Sequence, residues 1–331
     1  MTKTLYATMP DGRPVEAFTL DNGLLRAEIL TFGAALNRLF APDRDGKMEN
    51  VLSAFESLEE RMARSQYQGE VVGRCANRIK DAKFTLHGQE YQVTPNEKKN
   101  GNCLHGGGEF SRELWQVNPI DATILELTFG SPAGAHGFPG HVTARVCYTL
   151  QGSALVIEYR AGSDADTVLN LTNHAYFNLA AQGNIFDHIL QIDAEHYLPI
   201  NEKSIPTGEL RPVKGTAFDF TSPKPIGQDI FADDPQLTQV NGYDHNYCIT
   251  QGSPDPAVVV CEPISGRKMS VITDLPGVQL YTGNNLPVPH TAFCLETQAW
   301  PDSPNQWPEQ CLLKAGEDYR TTTRFEFSTH L

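Results

Sequence analysis

The sequence predicts an all-β protein, a large antiparallel β-sandwich with few short helices. Three observations carry that reading. Apolar residues recur at every second position in several segments, as in strands with one buried face and one face toward water or a ligand. Helical periodicity is confined to one short stretch. The 27 glycines and 22 prolines are scattered through 331 residues as turn punctuation, with no repeat, low-complexity tract or linker. A single domain over 1–331 is the expected organisation, because all-β folds often exceed the usual ~150 residues as one unit.

In chain order, residues 53–65 (SAFESLEERMARS) predict a helix. Ser53 would cap it, Glu56 would close a capping box, and Ala54, Leu58 and Met62 would form the apolar stripe. The run Glu59, Glu60, Arg61 then falls on a solvated face. Residues 83–86 and 90–93 flank His87, Gly88 and Gln89 as a hairpin. Val142, Ala144, Val146, Tyr148 and Leu150 share one side of a strand, and Leu155, Ile157, Tyr159 and Ala161 one side of the next. Gln151, Gly152 and Ser153 lie between them. Residues 278–282 and 324–328 alternate in the same way.

Twenty-six basic against 40 acidic residues give a net charge of −14. That argues against a nucleic-acid binder, which carries a basic patch, and less strongly against a membrane-surface protein. No run of about 18 apolar residues exists, so no membrane span is expected. The seven cysteines are odd in number and include no C-x-x-C, which speaks against a disulfide framework or zinc knuckle and for a reducing compartment. The N-terminus lacks the apolar stretch of about 7–15 residues of a secretory signal, so a cytoplasmic location is expected. Neither a phosphate-binding glycine loop nor metal-ligand spacing is present, so no cofactor and no metal are expected.

Several stretches hold more polar and special residues than a strand scaffold needs: 73–79 (GRCANRI), 100–108 (NGNCLHGGG), 170–179 (NLTNHAYFNL), 242–247 (GYDHNY) and 295–298 (LETQ). With 276–284 (PGVQLYTGN), 301–305 (PDSPN) and the turn 137–140 (GFPG), they resemble the aldose 1-epimerases, or galactose mutarotases, in that family's order. Any one motif is weak; six in register are specific. The resemblance runs from about residue 11 to the C-terminus, and the family's antiparallel β-sandwich agrees with the alternation.

The resemblance implies interconversion of the α and β anomers of D-galactose or D-glucose by ring opening and reclosure. Opening takes a proton from the C1 hydroxyl and delivers one to the ring oxygen. The matching motif positions make Glu296 the base and His174 the acid, with His105 a second histidine at the ring. A carboxylate ionised near pH 7 and an imidazole with an available proton suit these roles at their ordinary pKa values. Asp244, Asn77, Arg78 and Gln279 would bind hydroxyls, with Ala175 and Tyr176 as wall positions. A sugar needs several polar groups converging from separate segments, and aromatic faces to complete the site. Tyr176, Tyr243, Tyr281 and Trp300 are candidates. Arg74 and His245 read as structural, and His87, His136, His141 and His290 as turn or surface residues. The expected partner is a monosaccharide, with the protein a monomer or homodimer. Two other readings share the scaffold: a non-catalytic sugar-binding module, which would not need both His174 and Glu296, and a hexose-6-phosphate 1-epimerase, which would need extra basic groups.

Overall fold

The computed structural model describes residues 1–64, 66–250 and 256–329. Nine strands form the largest sheet, in the spatial order Gln116–Pro119, Ile124–Ser131, Val142–Gln151, Ala154–Ser163, Tyr319–Thr329, Arg267–Thr273, Val258–Cys261, Ile189–Ile192 and Lys224–Pro225. Each neighbouring pair is antiparallel. A five-stranded sheet at the N-terminus runs from Thr2–Thr8 to Met48–Asn50 in sequence order. A second five-stranded sheet has the order Arg211–Pro212, His196–Tyr197, Asp244–Cys248, Gly277–Tyr281, Cys294–Gln298.

The alternation read from the sequence sets which face is buried. Val142, Ala144, Val146 and Tyr148 join Leu155, Ile157 and Tyr159 in one apolar core. Phe18, Leu20, Ala27 and Ile29 of the N-terminal sheet and Tyr247, Val278, Leu280 and Leu295 of the third sheet enter the same core. The sheets are therefore layers of a sandwich with a shared interior. Gln151 pairs with Ala154 and Leu86 with Gln89, so both expected hairpins turn through two residues. In the second, His87 (φ 50°) and Gly88 (φ 80°) are both left-handed, as a type I′ turn requires.

The helix is shorter than expected and uses other residues. It spans Leu58–Ala63, with Ser57 as its cap accepting from the Glu60 N–H at 3.1 Å. Glu60, not Glu56, is the acidic partner: its carboxylate accepts from the Glu56 N–H at 3.2 Å. Ser53 is unavailable as a cap because Leu52–Ser53 is a short strand paired with Tyr176–Phe177. The buried positions are Leu58 and Arg61, while Met62 is 39% exposed. Ser65, the last residue of the expected helix, lies outside the described residues.

Arg61 corrects the solvated-face reading. Its side chain is fully buried, bonding Glu70 at 3.0 Å, the Gln68 carbonyl at 2.7 Å and Asn37 at 2.8 Å. The pair bridges the base of the 61–70 loop. His290 lies in a turn, as expected, but is buried there, bonded through Nδ1 to the Thr282 carbonyl and packed by Phe186 and Phe231. Arg74 is structural as expected, its guanidinium spent on Ser131, Pro132 and Pro139. Among the described residues, no helix is long and apolar enough to cross a membrane.

Candidate active site

The period of two along the third sheet separates core from site. His245, Tyr247, Val278, Leu280 and Leu295 point one way, toward the apolar layer. Asp244, Asn246, Gln279, Tyr281, Cys294 and Glu296 point the other way. Register then brings them together: Asp244 pairs with Tyr281, and Gln279 is flanked by Asn246 and Glu296. Three short strands thus present a row of polar side chains over an apolar base.

Opposite this sheet wall stand loops. Arg78–Ile79 pairs with Cys103–Leu104, and just outside that ladder Asn77 and His105 exchange contacts. The His105 N–H donates to the Asn77 carbonyl at 2.9 Å, and the Asn77 N–H donates to His105 Nδ1 at 3.1 Å. Asn77 (φ 60°) and His105 (φ 50°) are both left-handed. Gly106 follows because a Cβ there would lie 2.1 Å from the Gly73 carbonyl oxygen. His174 comes from the segment after Thr172–Asn173, which pairs with Val71–Val72.

The cavity between these walls is about 240 Å³, lined among others by Asn77, Arg78, His105, His174, Asp244 and Glu296. His174 Nε2 lies 3.6 Å from Glu296 Oε1. The ring of His174 stacks on Tyr176 (5.1 Å between centroids) and meets His105 edge-on at 5.2 Å. Arg78 bonds Glu97 at 2.9 Å and faces Asp244 at 3.8 Å. Glu296 Oε2 is buried without a hydrogen-bond partner among the described residues. A desolvated carboxylate oxygen with an open valence is costly to keep, and a ligand hydroxyl would satisfy it.

Burial moves the acid–base groups away from their ordinary values. It pushes the Glu296 carboxyl well up, helped by the Asp244 charge and opposed by Arg78. It pushes the His174 imidazole down to about 4. His105 is held well below the usual range by burial, and further by His174 and Arg78. Asp244 is raised by burial against the pull of Arg78. The sequence-level picture of an ionised carboxylate and a protonated imidazole at ordinary pKa values therefore changes. Burial favours the neutral form of each of these two groups, which lie 3.6 Å apart.

Not every expected residue reaches the cavity. Ala175 points into the apolar core, on the opposite side of the chain from His174 and Tyr176. Gln279 sits behind Asp244 and donates to its Oδ1 at 2.7 Å. Tyr243 is in the core with its hydroxyl on the Ala217 carbonyl, and Trp300 packs on Trp307 and donates to the Pro276 carbonyl. Tyr176 and Tyr281 do line the cavity. His245 is structural, its Nδ1 accepting the Asp244 N–H at 3.1 Å. Sequence reasoning missed Tyr67, which packs edge-on to His105 at 4.7 Å, and Glu97, the partner of Arg78. Both lie in loops without periodicity.

The ligand atoms of His105, His174 and Glu296 fall within 4.8 Å of one another, a grouping that metal centres also use. The donor chemistry does not fit. Because Asn77 donates to Nδ1 of His105, the neutral ring carries its proton on Nε2, where a metal would need a lone pair.

Comparison with known proteins finds relatives over nearly the whole chain. The family profile described as Aldose 1-epimerase matches residues 16–326. A galactose mutarotase from Sus scrofa is 42% identical over 99% of this chain and 98% of its own length. An aldose 1-epimerase from Haemophilus influenzae is 36% identical over 96% of this chain and 97% of its own. A crystal structure of a galactose 1-epimerase from Lactobacillus acidophilus superposes with a TM-score of 0.90 at 27% identity, covering 100% of this chain and 99% of that one. With its polar strand row, paired loops and full-length matches, the chain belongs to the aldose 1-epimerase family of isomerases.

Proposed function

We propose that the protein interconverts the α and β anomers of a neutral hexose, D-galactose or D-glucose, with Glu296 as base at the C1 hydroxyl and His174 as acid at the ring oxygen. One observation carries the reading: a buried carboxylate and imidazole, 3.6 Å apart, face a polar cavity with a carboxylate oxygen unpaired. In ring opening, Glu296 takes the O1 proton, the C1–O5 bond breaks, and His174 Nε2 gives a proton to O5. The aldehyde rotates about C1–C2. Reclosure reverses both transfers on either face. The pair holds one proton before and after, so nothing else is consumed.

Desolvation suits this exchange. In water a carboxylate beside an imidazolium is favoured by about two pKa units over the neutral pair. Burial raises Glu296 and lowers His174, which turns that bias toward the neutral pair. The ionic pair begins ring opening and the neutral pair ends it. Burial therefore favours the direction in which the protons move during ring opening.

Arg78, Asp244 and Asn77 supply the converging donors and acceptors that a sugar's hydroxyls need. A phosphorylated hexose fits less well. Among the described residues the only cation lining the cavity, Arg78, already faces Glu97 and Asp244, and Glu296 adds a third carboxyl group. Magnetisation-exchange NMR between anomeric signals tests this. The protein should accelerate exchange for galactose and glucose above the spontaneous rate, and glucose 6-phosphate much less. Equal acceleration of the phosphate ester would overturn the neutral-sugar reading.

A further inference from the structure

His174 is held at both ring nitrogens by one strand. Cys294 and Glu296 stand two residues apart on Cys294–Gln298, so their side chains share a face. The imidazole lies across them: Nδ1 is 3.5 Å from Cys294 Sγ, and Nε2 is 3.6 Å from Glu296 Oε1. Tyr176 stacks on the ring at 17°, and Tyr67 lies at 6.0 Å with a tilt of 26°. Cys294 is fully buried among Tyr176, Tyr281, Leu286 and Ala292, and its thiol bonds His174 Nδ1.

We propose that Cys294 is a positioning residue, whose sulfur accepts from Nδ1–H of His174 and keeps the proton of the neutral imidazole on Nδ1, so that Nε2, facing Glu296 and the sugar, is the nitrogen that gives and takes the moving proton. His105 is held the other way round, with the Asn77 N–H donating to its Nδ1. Sulfur suits the role. Burial keeps the thiol protonated, so it adds no charge beside the pair. As a weak acceptor it also gives an imidazolium little stabilisation, unlike a carboxylate at that place, so His174 remains a ready proton donor. This inference rests on the acid role proposed for His174, but its primary readout does not.

The test is ¹⁵N NMR of histidine-labelled full-length protein, wild type, Cys294→Ala and Cys294→Ser, with anomerisation kinetics on each. In the wild type the neutral His174 should show a protonated Nδ1 and an unprotonated Nε2. Cys294→Ala should average the two nitrogens and lower kcat roughly tenfold or more, as loss of a group that orients a histidine does, with KM nearly unchanged. Cys294→Ser, which keeps an acceptor at that place, should restore much of both. A neutral wild-type His174 protonated on Nε2 would overturn the proposal, as would a Cys294→Ala spectrum and kcat identical to wild type. Absence of anomerase activity in the wild type would instead fault the proposed function, leaving the tautomer result to stand alone.

Discussion

The two walls of the cavity are built by different means. The sheet wall, with Asp244, Tyr281, Cys294 and Glu296, is placed by register: its residues sit in regular strands and alternate with core residues. The loop wall, with Tyr67, Asn77, Arg78 and His105, is placed by exceptions. Three of those four have positive φ, the Asn77–His105 contact is reciprocal, and a buried Arg61–Glu70 pair holds Glu70, whose N–H donates to the Tyr67 carbonyl. Left-handed non-glycine residues persist only where surrounding bonds over-determine them. The sheet wall thus inherits its geometry from the fold, whereas the loop wall depends on a few specific contacts.

The largest test strikes the sheet wall. Glu296→Gln should lower kcat by about 10²-fold or more, the range for losing a general base, in a polarimetric assay. The same change should raise the denaturation midpoint at neutral pH. The folded Glu296 binds its proton more tightly than the unfolded chain does, so its burial penalty grows as pH rises above the ordinary carboxylate range, and glutamine removes that penalty. A variant both inactive and less stable would place Glu296 among the structural groups.

The next test strikes the loop wall. Arg61→Met leaves Glu70 buried and unpaired and should destabilise by about 3–5 kcal/mol in urea unfolding. It should also raise KM, because Gln68 and Glu70, which follow Tyr67, lose the guanidinium that holds them. A loss under about 1 kcal/mol would mean that the loop is held by packing alone. A smaller effect is expected at Asp244. Asp244→Ala should raise KM roughly tenfold with little change in kcat, since the residue binds without exchanging a proton. An unchanged KM would remove it from the sugar site.

The contrast between the walls also explains what the sequence revealed. Alternation identified the strands Val142–Gln151 and Ala154–Ser163. That same alternation points Ala175 inward beside His174, and Gln279 is one row removed from the cavity, held behind Asp244. A motif gives a residue's neighbours along the chain, not the depth at which its side chain stops. Tyr67 and Glu97 were illegible because a loop has no period to betray which side chain turns inward. The helix shifted because Ser53 was claimed by pairing with Tyr176, a partner 123 positions away, and no local pattern encodes that. The pKa values shifted because both groups are desolvated, a property of the folded interior.

The central claim is that Glu296 and His174 act as one buried unit sharing a single proton. The pH profile of kcat/KM for the wild-type protein tests it most directly, because it reports the free enzyme. Adding a second proton to the pair means charging His174, so the acid limb should fall near pH 4; losing the shared proton sets the alkaline limb, above the ordinary carboxylate range. An acid limb at about 6.5, the value of a solvated imidazole, would contradict the account.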